Sequence, residues 1–427
     1  MAKLTPPSEN RASARAFAGI GDSRRSFFGK VLRIGGGAAV LSVVDPLAWT
    51  GLTGEQDPLV RLALAAEGAA VGTNPKVKDR AYLFVYFSGG WDTLLGLDPR
   101  DPAQFHAGNL ATTLIEPGYA ALDDPPNGGK QVLVKGSNGK TIAFGPYIGD
   151  LANHIDKVAI VRGMSMDTLT HEVGRRRFLT GKPPSGLLAR GSSGGTWLAA
   201  MLGQSATIPQ ISLKVEAYNQ DQPNYATALK VGNVPDLLRA LNAGNSTLDP
   251  KVQALVDLTV ATDAACPSRQ SSATWVASTA AREKAQQMTS GGLASLFDFQ
   301  AKTPEMAALR AHYAIGATGA AALATPEAQA ALAVTALTAG VSRVVSIQVP
   351  LLDAHFDDWA TDHGPGQLRG FNLIARVIED LGKRAHPAGG THLDHTVIVG
   401  FSEFSRTSML NQRGGRDHAL TNACLLA

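Results

Sequence analysis

An α/β fold with a mostly parallel sheet, covered by helices on both faces, follows from three features of the chain. Short β-branched or aromatic runs alternate with Ala- and Leu-rich stretches of helical character. The run at 81–87 reads as a strand buried within the core, as parallel sheets require. Acidic residues follow three of the strand-like runs directly, at Asp92, Asp353 and Glu403. Open α/β sheets gather their ligands at that end of their strands.

Taken in order, residues 81–87 (AYLFVYF) are apolar and aromatic and stop at Ser88-Gly89-Gly90, a strand leaving the core at a glycine turn. Trp91-Asp92-Thr93 and Asp98-Pro99-Arg100 follow in the loop. Residues 121–140, rich in Gly, Pro and Asn, read as a surface excursion. Residues 158–161 predict a second strand, which feeds Arg162-Gly163-Met164-Ser165-Met166 and then a helix from about His171 to Thr180. Residues 208–215 predict a third strand. Residues around 250–340 are Ala-rich with long stretches free of Pro, which predicts a helical insertion. Residues 344–349 (VVSIQV) are β-branched and deliver Asp353 and His355. Residues 367–384 place Leu368, Phe371, Ile374, Ala375 and Ile378 on one helical face. Residues 396–401 (TVIVGF) predict the strand that delivers Glu403. Cys424-Leu425-Leu426-Ala427 reads as the opening of a strand with no continuation, as if the C-terminal edge of the sheet were missing.

Composition bounds the function. Of 427 residues, 44% are hydrophobic and 18% charged, the balance of a core-forming protein. The net charge of +3 misleads, because residues 1–33 hold seven Lys or Arg against two acids. The remainder is slightly acidic and offers no broad footprint for nucleic acid. Cys266 and Cys424 are too few for a disulfide framework.

The N-terminus reads as an address. Ser23-Arg24-Arg25-Ser26-Phe27-Phe28-Gly29-Lys30 resembles the twin-arginine export signal, and a Gly-rich apolar stretch follows at 34–44. That stretch is shorter than the roughly 20 apolar residues a stable span needs. Residues 1–65 are therefore expected to be signal and linker, and residues 76–427 the folded domain. The export machinery is the expected partner, and the periplasm or extracellular space the expected destination, with no integral span beyond the signal region.

Six of the ten histidines lie between His355 and His418, among Asp353, Asp357, Asp358, Asp362, Glu403 and Asp417. Asp, Glu and His are the oxygen and nitrogen donors of Zn and Mn; oxygen-only coordination would instead favour Ca. Asp358 and Asp362 read as cap or loop residues. His363 reads equally as ligand or surface residue, and His386, His392 and His395 as solvated. Arg175-Arg176-Arg177 reads as a solvated helix face. Cys266-Pro267-Ser268-Arg269 lacks the full sulfatase signature and lies far from a strand end.

These motifs resemble the exported family catalogued as domain of unknown function 1501. The pieces are F-S-G-G-W-D-T with D-P-R, V-R-G-M with T-H-E and L-T-G, D-A-H, S-E-F-S-R-T and G-R-D-H, in family order from about Tyr82 to His418. The family resembles a branch of the alkaline phosphatase and sulfatase superfamily. That resemblance implies a three-layer α/β/α sandwich with a metal-centred hydrolytic site. Carried over by position, it implies Asp92, Asp353, His355, Glu403 and His418 as metal ligands, and Arg406 and Arg416 as the anion site, since a guanidinium fork suits phosphate or sulfate. Thr170 falls near the nucleophile position, but His171 occupies the favoured register, and Ser405 stands where the family often has Gly.

The resulting expectation is an exported metal-dependent hydrolase of phosphate or sulfate esters, small or polymeric, with Thr170 or an activated water attacking. The alternative is a non-catalytic exported binding or assembly protein that keeps the fold.

Overall fold

The structure is a computed structural model that describes residues 79–242, 249–290 and 292–427. The expected signal and linker lie outside the described residues.

Nine strands are described: β1 (Ala81–Ser88), β2 (Val132–Lys135), β3 (Thr141–Phe144), β4 (Ala159–Ser165), β5 (Gln210–Leu213), β6 (Leu229–Val231), β7 (Val344–Pro350), β8 (Thr396–Ser402) and β9 (Thr421–Leu426). The longer helices are α1 (His171–Thr180), α2 (Gly194–Leu202), α3 (Val234–Leu241), α4 (Pro250–Ala265), α5 (Ala273–Ser290), α6 (Pro304–Tyr313), α7 (Pro326–Thr338) and α8 (Gly364–Lys383). Among the described residues the main sheet has seven strands in the order β4-β9-β8-β1-β7-β5-β6. Pairing is parallel from β8 through β1, β7 and β5 to β6. Only β9 runs the other way, antiparallel to both β8 and β4. The α/β class with a mostly parallel central sheet is what the sequence predicts.

The alternation of β1 divides the two faces. Leu83, Val85 and Phe87 pack with Phe371, Ile374 and Ile378 of α8 and with the buried alanines of α7. Tyr82, Phe84 and Tyr86 turn to the opposite face, where Ala199 of α2 and Phe178 and Leu179 of α1 cover them. Side chains on a strand point alternately to opposite faces, so an eight-residue strand apolar on both requires helices on both.

Three local outcomes differ from expectation. The surface excursion at 121–140 runs into a small hairpin, β2 against β3, because Val132, Val134, Ile142 and Phe144 supply a half-buried alternation. Helix α2 and the short strand β6 carry no strong periodic signal and emerge only through packing, whereas α3 is amphipathic, with Val234, Leu237 and Leu241 buried, and is not among the expected elements. The strand expected to open at Cys424 begins earlier, at Thr421. Thr421–Leu426 forms a six-residue strand inside the sheet, between β4 and β8.

The parallel core strands β1, β7 and β8 end together, and the loops after them converge. Gly89 and Gly90 leave β1, Asp353 and His355 follow β7, and Glu403 to Arg406 follow β8. The head of α1 and the loop before β9 bring His171 and His418 to the same place.

Candidate metal centre

Each strand end supplies one part of the site. The chain leaves β1 through Gly90 at φ +80°, where a Cβ would lie 2.6 Å from the Phe404 ring and 3.1 Å from Arg406 Nε. Only glycine allows that turn and that approach. After β8, the Glu403 side chain turns inward at 1% exposure. Its Oε1 accepts from Gly89 N at 2.8 Å and its Oε2 from Ser402 Oγ at 2.9 Å. Helix α1 then docks backbone to backbone on this segment: a Cβ on Gly174 would sit 2.5 Å from Glu403 O. Gly174 lies one turn beyond His171, so this close contact aims His171 at Glu403.

Three imidazoles meet around Asp353. His171 Nδ1 donates to Glu403 Oε1 at 2.7 Å. His355 Nδ1 donates to Asp417 Oδ1 at 2.8 Å. His418 Nδ1 donates to the Leu169 carbonyl at 2.6 Å. Each partner is an oxygen acceptor, so each Nδ1 carries a proton, and a ring with no second proton presents a lone pair at Nε2. The three Nε2 atoms turn to one region. His355 Nε2 and His418 Nε2 stand 2.9 Å apart, and both lie near Asp353 Oδ1, at 3.1 and 3.3 Å. His171 Nε2 lies 3.3 Å from Asp353 Oδ2 and is a buried atom with no hydrogen-bond partner. His171, Asp353 and His418 each bring one donor within 4.8 Å of the others, a group able to hold a metal ion. His355 Nε2 joins it through the contacts above.

The donor set fits a metal. Two nitrogens bound to one tetrahedral Zn stand about 3.3–3.4 Å apart. Imidazole Nε2 with Nδ1–H tied to carboxylate or carbonyl is how ligating histidines are usually oriented. Two neutral imidazoles with their lone pairs 2.9 Å apart repel unless a cation lies between them or one ring is protonated. Phe404 stacks beside His418 and His171, with centroids 4.3 and 4.8 Å away, and limits ring rotation.

The electrostatics follow from these contacts. Partial burial disfavours charge on Asp353, but the Arg406 hydrogen bond and charge outweigh it and hold the carboxyl at about 2. Burial pulls His171 down, yet the Glu403 hydrogen bond and the Glu403 and Asp353 charges together raise it above its usual value. Burial lowers His418. Burial works against charge on Glu403 as well, but His171 and the backbone amides more than compensate, leaving it ionised.

Several expected roles are corrected by the geometry. Asp92 is wholly buried and stands apart from the imidazoles. Its Oδ1 accepts from Leu94 N and its Oδ2 from Trp359 Nε1, both at 2.9 Å, and it pairs with Arg416. No oxygen of Asp92 is left for a metal. Arg416 is also fully buried: Nη1 donates to Thr407 O, and Nη2 to Glu116 O and Pro117 O. Arg406 donates to Gly90 O, Gly89 O, Arg416 O and Asp353, with its last donor 3.4 Å from His355 Nε2. With four donors bonded to carbonyls and to Asp353 and the fifth facing His355, Arg406 is a brace and not an anion fork, and Arg416 has no route to solvent. Glu403 orients His171 instead of ligating.

Thr170 stands at the N-cap position of α1, exposed and making no side-chain capping bond, with its Oγ1 3.3 Å from Thr168 Oγ1. His363 is not a surface residue: it is buried, donating to Leu352 O at 3.0 Å, with its Nε2 left without a hydrogen-bond partner. His395 is buried too, packed 3.7 Å from the His386 ring. Arg175 and Arg176 face Glu216, and Arg177 pairs with Asp167, so this run is tied down and not a free solvated face. The supporting roles of Asp417 and Leu169 escaped sequence reasoning. Asp417 carried a signal in standing next to His418, whereas a backbone carbonyl carries none.

Among the described residues, no helix is long and apolar enough to cross a membrane. The model of a family described as protein of unknown function (DUF1501) matches residues 79–427, and the chain belongs to that family. No curated protein and no solved structure matches the chain.

Proposed function

We propose that this member of the family is a metal-dependent hydrolase of phosphate or sulfate esters. It would act outside the cytoplasm on an alkaline-phosphatase-like α/β/α frame. One observation carries the reading: His171, His355 and His418 each have Nδ1 held by an oxygen acceptor and Nε2 turned toward Asp353. Three imidazoles and one carboxylate suit Zn or Mn better than Ca, which prefers oxygen throughout. When bound, such an ion would polarise the ester oxygen as a Lewis acid.

The chain's own residues do the rest. Glu403 and Asp417 accept from Nδ1 of His171 and His355 and so fix their tautomers and ring orientations. Arg406 pins the Asp353 carboxylate in its ionised form. Thr170, exposed beside His171 at the head of α1, would supply the hydroxyl that attacks or orients water.

A non-catalytic binding or assembly role is the second reading. It is favoured by Arg406 and Arg416, whose donors are all directed at the protein itself.

The test is elemental analysis of the purified chain beside an Asp353→Ala, His355→Ala double variant, followed by an ester panel. About one equivalent of Zn or Mn, lost in the variant, with turnover of any phosphate or sulfate ester, is the expected result. Absence of metal after reconstitution sinks the reading. Metal without turnover favours the second. Export is tested separately by fractionating cells that express Arg24→Lys, Arg25→Lys, in which the protein should stay inside.

A further inference from the structure

Helix α4 stands uncovered among the described residues: from Pro250 to Thr259 every residue is exposed. Its composition is at odds with that exposure. Leu255 and Leu258 are 63% exposed, Val252 46% and Val256 44%. Lys251, Asp257 and Asp263 are the only charges between Pro250 and Ala265. A lone helix of this length is marginal in water, and one apolar round most of its circumference is stable only against a partner.

The residues on α4 select that partner. Val252, Leu255, Thr259 and Thr262 follow the three-and-four spacing of a helix–helix seam, with Leu258 beside them. The Thr259 and Thr262 hydroxyls donate to Leu255 O and Leu258 O, both at 2.8 Å, so the seam buries no free polar group. Asp257 lies on the far side of the helix from Leu255, where Gln253 Nε2 donates to it at 2.9 Å. The seam is centred on the level of residue 257, and Lys251 and Asp263 stand equally far from that centre. Turned end for end against a second copy, it sets Val252 opposite Thr262 and Leu255 opposite Thr259, large against small. Lys251 of each copy then lies beside Asp263 of the other, and each positive helix N-terminus beside a negative C-terminus. Asp263 also pairs with Arg269, but its side chain remains 43% exposed and open to a second cation. A parallel pair would instead set like charges together at both ends. A lipid surface fits less well. Asp249 at the N-cap and the charges of α4 make this segment acidic, whereas interfacial helices carry a polar face rich in Lys and Arg.

We propose that α4 is a dimerisation helix, pairing antiparallel with α4 of a second copy of this chain about a two-fold axis at the level of residue 257. The inference is independent of the hydrolase reading. A seam about 24 Å long covers less than the roughly 800 Å² per partner of a standard interface, so the dimer is reversible and forms with rising concentration.

The experiment is sedimentation equilibrium of the full chain over about 1–200 μM. The wild type should pass from monomer to dimer mass. A Leu255→Glu, Leu258→Glu variant should stay monomeric throughout, with the thermal melting of the dilute wild type, because both side chains already face water. Lys251→Asp should weaken the dimer about tenfold by setting acid against acid at both ends. An acid in the first turn strengthens the helix itself, so this loss cannot come from fraying. Adding Asp263→Lys to Lys251→Asp should restore the dimer. A wild type that stays monomeric overturns the proposal, as does a double Leu variant that still dimerises or a Lys251→Asp variant of unchanged affinity. So does co-flotation of the wild type with phosphatidylcholine–phosphatidylglycerol vesicles that the double Leu variant loses, which would assign α4 to a lipid surface.

Discussion

Asp92 and Arg416 form an ion pair to which solvent has no access, with Arg416 Nε 2.9 Å from Asp92 Oδ2. The approach is too bent for a hydrogen bond, and Arg416 Nε has no other partner. The pair ties the loop after β1 to the loop before β9, with Trp359 donating to the same carboxylate and lying beneath the guanidinium at 4.8 Å. Removing one partner of a buried pair strands the other charge. Asp92→Ala should destabilise by about 3–5 kcal/mol, read as a lower urea midpoint. The metal content of the folded fraction should be unchanged. Loss of metal at wild-type stability would return Asp92 to the ligand set.

The acids behind the imidazoles should matter nearly as much as the ligands. Glu403→Gln and Asp417→Asn should each weaken metal binding by about 10–100-fold, measured by competition with a chromogenic chelator. The surrounding fold should survive in Asp417→Asn, where the side chain is half exposed. Unchanged affinity in both would mean that the tautomers are set by something else.

Gly174 inverts an ordinary rule. Glycine to alanine inside a helix normally gains about 1 kcal/mol. Here the new methyl would meet the Glu403 carbonyl at 2.5 Å, and backbone cannot rotate away. Gly174→Ala should cost about 1–3 kcal/mol, the scale of overpacking, and should loosen metal binding by pushing His171 off Glu403. Thermal melting with and without Zn checks both effects. A rise in melting temperature would refute the close docking of α1.

His363 should report acid. Burial holds its pKa down, from 6.5 to about 4. The folded state therefore prefers the neutral ring. Its contribution is intact above pH 6.5 and is lost as pH falls from there to about 4. Charging it costs the fold about 3 kcal/mol across that window. In His363→Asn, which keeps a donor for the Leu352 carbonyl, the urea midpoint should fall less steeply between those pH values. Parallel pH profiles would show that other groups carry the acid sensitivity.

The strands and the helices beside the site were legible because local pattern and tertiary need agree. The run at 81–87 is apolar on both faces because helices cover both, and the helix expected from His171 to Thr180 begins and ends at those residues. Asp353, His355 and His418 were recognisable by type and by their place after strands. Asp92 and Arg416 shared that residue type and placement yet serve as an internal pair, since sequence carries no record of which charged groups find each other in the core. The strand read as opening at Cys424 does form, from Thr421, but its place between β4 and β8 was not legible, for a related reason. Six residues cannot announce whether they bound a sheet or fill a gap within it.

The order of synthesis meets the order of the sheet at β9. Among the described residues, strand β4 joins the sheet through Thr421–Leu426, which lies between it and β8. On the ribosome, residues 159–165 therefore wait, unpaired along both edges, until the codons past residue 420 have been read. A message cut short near residue 410 would yield a chain with β1, β7 and β8 in hand but β4 stranded and His418 absent. Strand β4's place in the sheet and the imidazole cluster both depend on residues 418–426, so a chain cut before them completes neither.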